Sequence, residues 1–248
     1  MDQSSSREAH FLPPHVFACS TINGAVFLDL RANKYLGISA EDMERLGALV
    51  AGWPTSSVGH ANEGPETGSE DSQLLAKSLQ DRGLLTSRAS EGKSASPPSI
   101  PPVESTAREF DSDQQRSLRL IHLTRFMKAY AYARLALRFS SLEKIIARLQ
   151  DARANQRSRL SSGNDAPDAI EMTLVYSTLR SFVYQRSDNC LLDSFALLVF
   201  LNMSAIYPNW VFGVRLCPFE AHCWIQNGNM ALNTSVEETR EFTPIMII

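Results

Sequence analysis

The chain has 248 residues, 44% of them hydrophobic and 21% charged, with a formal net charge of -3 and 4 cysteines. These values suit one large or two small globular domains and give no support to the basic footprint that nucleic acid binding requires. No apolar run approaches the roughly 20 residues of a membrane-spanning helix, and residues 1–7 carry no signal-peptide pattern, so a cytoplasmic protein with reduced thiols is expected.

In chain order, residues 16–19 and 25–30 read as strands joined by a turn at Asn23-Gly24, and residues 34–38 as a third strand. Ser39 is placed to cap a helix, with Asp42 three residues on, and Met43, Leu46, Leu49 and Val50 follow at helical spacing. Residues 55–72 read as a polar loop, and residues 73–82 as a helix closed by Gly83. The Pro- and Ser-rich stretch 89–116 reads as a flexible linker, because its prolines remove donors and restrict their neighbours. Helical patterning resumes over 118–153, with Ile121, Phe126, Tyr130, Ala133 and Leu137 toward one face. It returns over 169–184 with Met172, Val175, Leu179 and Val183 inward.

The chemistry concentrates further on. Asp188 and Asn189 are capping residues, and from Cys190 an apolar run continues without Gly or Pro until Pro208. A thiol in that first turn lies near unpaired N–H groups and the positive end of the helix dipole, both of which favour the thiolate. A β-rich segment, 210–216, and then Ala221-His222-Cys223-Trp224 follow, with His222 as the candidate base. Helix with Cys, strand, strand with His is the core order of papain-like and transglutaminase-like enzymes. The competing reading of the residues alone is a buried structural cysteine. Zinc is disfavoured for Cys190, Cys217, His222 and Cys223: there is no Cys-x-x-Cys pair, and adjacent His222 and Cys223 would point to opposite faces of a strand. No metal or other cofactor is expected.

Two resemblances add to this. "AVFLDLRANKYLGIS" and "LLAKSLQDRGLL" resemble the peptide-recognition domain of enzymes that modify ribosomal peptides. That resemblance implies a small winged helix-turn-helix with a three-stranded sheet that takes a precursor's leader as an added strand. The leader would touch Ala25, Phe27, Leu28, Leu30, Tyr35 and Leu46. A DNA-binding winged helix is the alternative, and the lack of a basic stripe argues against it.

"CLLDSFALLVFL", "NWVFGVRLCPFEAHCWIQNG" and "ALNTSVEETREFTPIMII" resemble the leader peptidase, or B protein, of lasso-peptide biosynthesis. The resemblance implies an α+β chain with a leader-recognition domain over 1–88, the linker over 89–116, and a transglutaminase-like cysteine peptidase domain over 117–248. It makes Cys190 the nucleophile and His222 the base, and it implies two partners: the precursor's leader and an ATP-dependent, asparagine-synthetase-like cyclase. The family's third residue is an Asp where this chain has Thr234. Asn233 is the expected substitute, with Thr234, Glu237 and Glu238 left open. Asp193 stands where the family tends to carry a basic residue, and an added carboxylate there is expected to raise the Cys190 pKa. The Cys190 N–H is the expected oxyanion donor, with Gln185 a nearby second candidate. A transglutaminase-like acyltransferase and a non-catalytic protein that presents the leader to a cyclase remain the alternatives.

Overall fold

The structure, a computed structural model, describes residues 9–53, 70–110, 118–157, 168–183 and 189–248. They fall into two compact units. The first holds residues up to Pro98 with 214–220 and 243–245, and the second holds 99–213, 221–242 and 246–248.

In the first unit, β1 (Val16–Thr21), β2 (Gly24–Asp29) and β3 (Lys34–Ser39) form an antiparallel sheet in the order β1-β2-β3. The turn into β2 requires glycine: Gly24 has φ +139°, and a Cβ there would lie 2.1 Å from the Ile38 carbonyl oxygen. Ser39 caps α1 (Ala40–Gly47) as expected, its hydroxyl accepting the Asp42 N–H at 3.1 Å. In α2 (Glu70–Asp81) the last turn closes at Gly83, φ +74°, with the Leu84 N–H reaching the Leu79 carbonyl at 2.9 Å. Met43, Leu46, Ala76 and Leu79 from the helices pack with Val16, Ala18 and Phe27 from the sheet in one core. Most of the loop expected over 55–72 lies outside the described residues, and from Glu70 the chain is already helical. Three strands and two helices are therefore present, while the turn that would make them a helix-turn-helix falls outside the described part.

The stretch expected as a flexible linker is tied down on both sides of residue 98. Lys93 exchanges main-chain bonds with Leu12 at 2.9 and 2.7 Å, and its Nζ lies 3.3 Å from the centroid of the Phe17 ring. The Ala95 N–H reaches Ala51 O at 2.8 Å. In the second unit, Val103 is buried and β4 (Ser105–Thr106) pairs in parallel with β7 (Met230–Ala231). The prolines bar helix, but the non-proline residues among them keep N–H groups and can still pair in extended form. Residues 111–117 of the expected linker lie outside the described part.

The second unit contains α3 (Leu120–Phe139), α4 (Leu142–Arg157), α5 (Ala169–Ser181) and α6 (Cys190–Asn202). A five-stranded sheet comprises β4, β7, β5 (Asn209–Arg215), β6 (Glu220–Asn227) and β8 (Thr243–Ile247) in the order β4-β7-β6-β5-β8, with a short α7 (Val236–Arg240) before β8. Helix α6 is apolar on every side, which suits a helix packed all round. Phe195 stacks on Trp210 of β5 at 5.1 Å, and Phe200 meets Tyr176 of α5, which in turn meets Phe126 of α3. Two residues expected to face inward do not: Ile121 is 49% exposed and Val183 44%. Ile121 lies in the first turn of α3, ahead of its buried face, which starts at Phe126, and Val183 lies beyond the end of α5. Among the described residues, no helix is long and apolar enough to cross a membrane.

Candidate active site

Cys190 is the first residue of α6, half-buried. Asn189 fixes the helix start by accepting the Leu192 N–H on its side-chain oxygen at 3.1 Å. The N–H groups of this first turn have no acceptor within the helix and point outward at its positive end. Gln185 lies outside the described residues.

His222 comes from β6, and its ring packs against Trp224 (6.1 Å between centroids) and Phe242 (5.3 Å). Gly213 on β5 makes that packing possible. A Cβ at Gly213 would sit 2.7 Å from the Trp224 ring and 2.9 Å from the Phe242 Cβ. A glycine inside a strand signals such a close approach, and the Phe212-Gly213-Val214 sequence carried that signal.

The Cys190 sulfur receives hydrogen bonds from both His222 and Cys223, with the two sulfurs 3.8 Å apart. Alternation along a strand predicts opposite faces for these two neighbours, yet both reach Cys190. The sulfur also takes the Cys223 main-chain N–H, so it lies against the backbone of β6, where side chains from either face can meet it. These contacts lower the Cys190 pKa from 9.0 to about 4: the Cys223 thiol contributes most, then the His222 hydrogen bond, with partial burial opposing and the His222 charge adding to the fall. Cys223, fully buried, is pushed well above the ordinary range by its bond to Cys190 and by burial. Ser194 on α6 lies 3.3 Å from the Cys223 sulfur and is itself held by the Trp210 indole N–H at 2.9 Å.

The remaining cysteines are elsewhere: Cys217 is exposed, and Cys19 is buried, its thiol pushed up to about 12 by burial. Among the described residues, no group of three or more His, Cys, Asp or Glu is arranged to hold a metal ion.

The third position differs from the expected one. Asn233 does not orient His222, because both ends of its side chain are engaged elsewhere: its oxygen accepts the Ile225 N–H at 2.8 Å, and its nitrogen approaches Asp193 at 3.4 Å. Glu238 faces the imidazole instead, with Oε1 3.6 Å from His222 Nε2. Its other oxygen accepts the Thr234 hydroxyl at 2.6 Å. His222 Nε2 is buried without a hydrogen bond. A signal for Glu238 was present in the sequence. Ser235 and Glu238 have capping-box spacing, and Ser235 does cap α7 by accepting the Glu238 N–H at 3.1 Å. Glu237 is its neighbour in the same first turn.

Asp193 does not raise the Cys190 pKa as expected. Its carboxylate, 1% exposed, is held by Arg180 at 3.1 Å to each oxygen and by the Tyr176 hydroxyl. With its charge met by Arg180, it serves to fasten α6 to α5 and, through Asn233, to the segment after β7.

The residues expected to meet a leader peptide are placed differently from the expectation. Strand β2 is the middle strand, paired to β1 and β3 along its length, so its main chain cannot accept an added strand. Ala25, Phe27, Leu28, Leu30 and Leu46 are buried in the unit. Tyr35, on β3, is half-buried, and among the described residues β3 pairs on one side only. The hydrophobic pattern made β2 the most strand-like segment, and that same burial removes it from the surface.

A cysteine at a helix start, an imidazole on a strand and a carboxylate behind it are the groups that thiol acyl-transfer chemistry uses. Residues 127–247 match the family model described as transglutaminase-like superfamily. Members of that superfamily are often cysteine peptidases or acyltransferases. No curated protein and no solved structure matches the chain.

Proposed function

We propose that this protein is a leader peptidase of lasso-peptide biosynthesis. It binds the leader of a precursor peptide and cuts it from the core, which an ATP-dependent cyclase then closes. The observation that carries the peptidase reading is the Cys190 thiol hydrogen-bonded to His222, with Glu238 behind the ring. The resemblance of "NWVFGVRLCPFEAHCWIQNG" to the family supports the substrate class. Leader capture is assigned to the one-sided strand β3, with Tyr35, Leu36 and Ile38 as its half-buried side chains.

In the reaction the Cys190 thiolate attacks the scissile carbonyl while His222 holds the proton on its ring. First-turn N–H groups of α6, that of Cys190 foremost, face the developing oxyanion. The tetrahedral intermediate collapses as His222 gives its proton to the departing amine of the core, leaving the leader as a thioester on Cys190. Water, deprotonated by His222, then releases the leader carboxylate. Glu238 keeps the imidazole oriented and stabilises its charged form.

The test is incubation with a precursor peptide encoded by a short reading frame beside the gene, followed by mass spectrometry. Two fragments that together contain one added water, absent with Cys190→Ala, support the reading. A product joined to an added amine would place the protein with the acyltransferases, and an intact precursor that remains bound would make it a presenting protein.

A further inference from the structure

We propose that Cys190 and Cys223 constitute a reversible oxidation site, in which Cys223 is the resolving thiol that captures Cys190 as a disulfide after attack by a peroxide. The two sulfurs are 3.8 Å apart, and an ordinary disulfide is about 2.05 Å, so closure requires only a small approach by two side chains already in contact. Cys190 begins its helix half-buried, whereas Cys223 is 3% exposed. A dissolved oxidant therefore meets Cys190 first, and Cys223 meets the outside through Cys190. Neither Cys19, buried in the first unit's β1, nor the exposed Cys217 has a comparable partner among the contacts described.

The chemistry balances with hydrogen peroxide as the oxidant. The Cys190 thiolate attacks one peroxide oxygen, the O–O bond breaks, and Cys190 becomes a sulfenic acid as hydroxide leaves and is protonated to water. The Cys223 sulfur then attacks the Cys190 sulfur. An S–S bond forms, the S–O bond breaks, and the departing hydroxide takes the Cys223 proton as a second water. Two thiols have lost two electrons, and one peroxide has gained them.

The arrangement also sets the order of events. In the reduced protein Cys223 stays protonated chiefly because it donates to the Cys190 thiolate. Once Cys190 is a neutral sulfenic acid, that restraint is gone and Cys223 ionises more readily, just when an attacking thiolate is needed. Ser194, fixed by the Trp210 indole, remains beside the Cys223 sulfur to hold it in place. The mechanism of cleavage makes no use of Cys223 as a nucleophile. The oxidation site rests on the thiol pair and holds whichever peptide the enzyme cuts.

The experiment uses the full chain with Cys217→Ser, to remove the exposed thiol, treated with one equivalent of hydrogen peroxide and digested without reductant. The expected product is a peptide pair joining Cys190 to Cys223, with dithiothreitol restoring iodoacetamide labelling of Cys190. With Cys223→Ala added, dimedone should trap a sulfenic acid at Cys190. Excess peroxide should then lower recoverable labelling roughly tenfold against the Cys223 protein, because the acid proceeds to sulfinic and sulfonic forms. Labelling of Cys190 before oxidation verifies that this variant retains its site. The crosslink assay on the Cys217→Ser protein itself needs no change at Cys223. Dimedone labelling of Cys190 with no crosslink while Cys223 is present, or equal recovery with and without Cys223, would overturn the proposal.

Discussion

Replacing Glu238 with Gln keeps the side chain's shape and its bond from Thr234 but removes the charge facing His222. At the 3.6 Å separation in the structure, Coulomb's law gives about 1.2 kcal/mol in bulk water and about 4.6 kcal/mol at an effective dielectric constant of about 20. Glu238 is 39% exposed, so solvent screening places the loss toward the lower end, about 1–2 kcal/mol. That corresponds to roughly a 5- to 30-fold fall in the acylation rate, with leader affinity unchanged. The charge acts on the thiolate–imidazolium pair, so its removal makes thiolate harder to form. The pH midpoint for iodoacetamide alkylation of Cys190 should therefore rise by about one pH unit. Alkylation rates from pH 3 to 9 in a Cys217→Ser background measure this directly, without a substrate. An unchanged midpoint and rate in Glu238→Gln, together with a lowered rate in a stably folded Asn233→Ala, would refute the assignment and restore an Asn-type third residue.

Three further outcomes follow from the same geometry. With its pKa lowered to about 4, Cys190 should alkylate near its plateau rate at pH 6, where a thiol near 9 is only about a thousandth ionised; a tenfold rise per pH unit from 6 to 8 would contradict the ion pair. Arg180→Met strands the buried Asp193 carboxylate and should cost about 3–5 kcal/mol in urea unfolding, part of it recovered by adding Asp193→Leu; a loss under about 1 kcal/mol would show the pair is not needed. Gly213→Ala forces Trp224 and Phe242 apart and should cost about 1–3 kcal/mol while lowering Cys190 alkylation at pH 6, since His222 rests on both rings; an unchanged alkylation rate would mean the ring contacts do not position the imidazole.

Cys190 and His222 were legible as candidates because they sit on strongly patterned elements. A capping Asn189 before a largely apolar run marks a buried helix start, and the residues around His222 mark a strand. The first unit's strands and the Ser39 cap were legible for the same local reasons. Glu238 stayed one of several open candidates, because its place beside His222 depends on how α7 turns back toward β6, which is a tertiary fact. Asn233 could not be placed from sequence because a polar residue after a strand can point to either of two neighbours, and here both its donor and its acceptor are engaged away from the ring. The meeting of Cys223 with Cys190 was hidden by strand alternation, which describes faces but not what lies across the backbone between them. Strand order within a sheet is likewise invisible to hydrophobicity, which is why β2 looked like an edge.

Strand β4 has a consequence for how the chain reaches its fold. Around it the Gln226 side chain bonds to Pro101 O, and that of Asn229 to Glu104, each across 125 residues. Closing a loop of that length costs about 4 kcal/mol in chain entropy before any contact repays it. At a synthesis rate of about 5–20 residues per second, the stretch carrying Val103 waits roughly 6–25 seconds on the ribosome for its partner strand to emerge. During that wait it is an unpaired extended segment of the kind that joins other chains. Pro97, Pro98, Pro101 and Pro102 lie just ahead of it, and a proline-interrupted segment is a poor template for edge-to-edge pairing. The composition that resembles a linker thus protects a late-docking strand from aggregation until β7 exists to receive it.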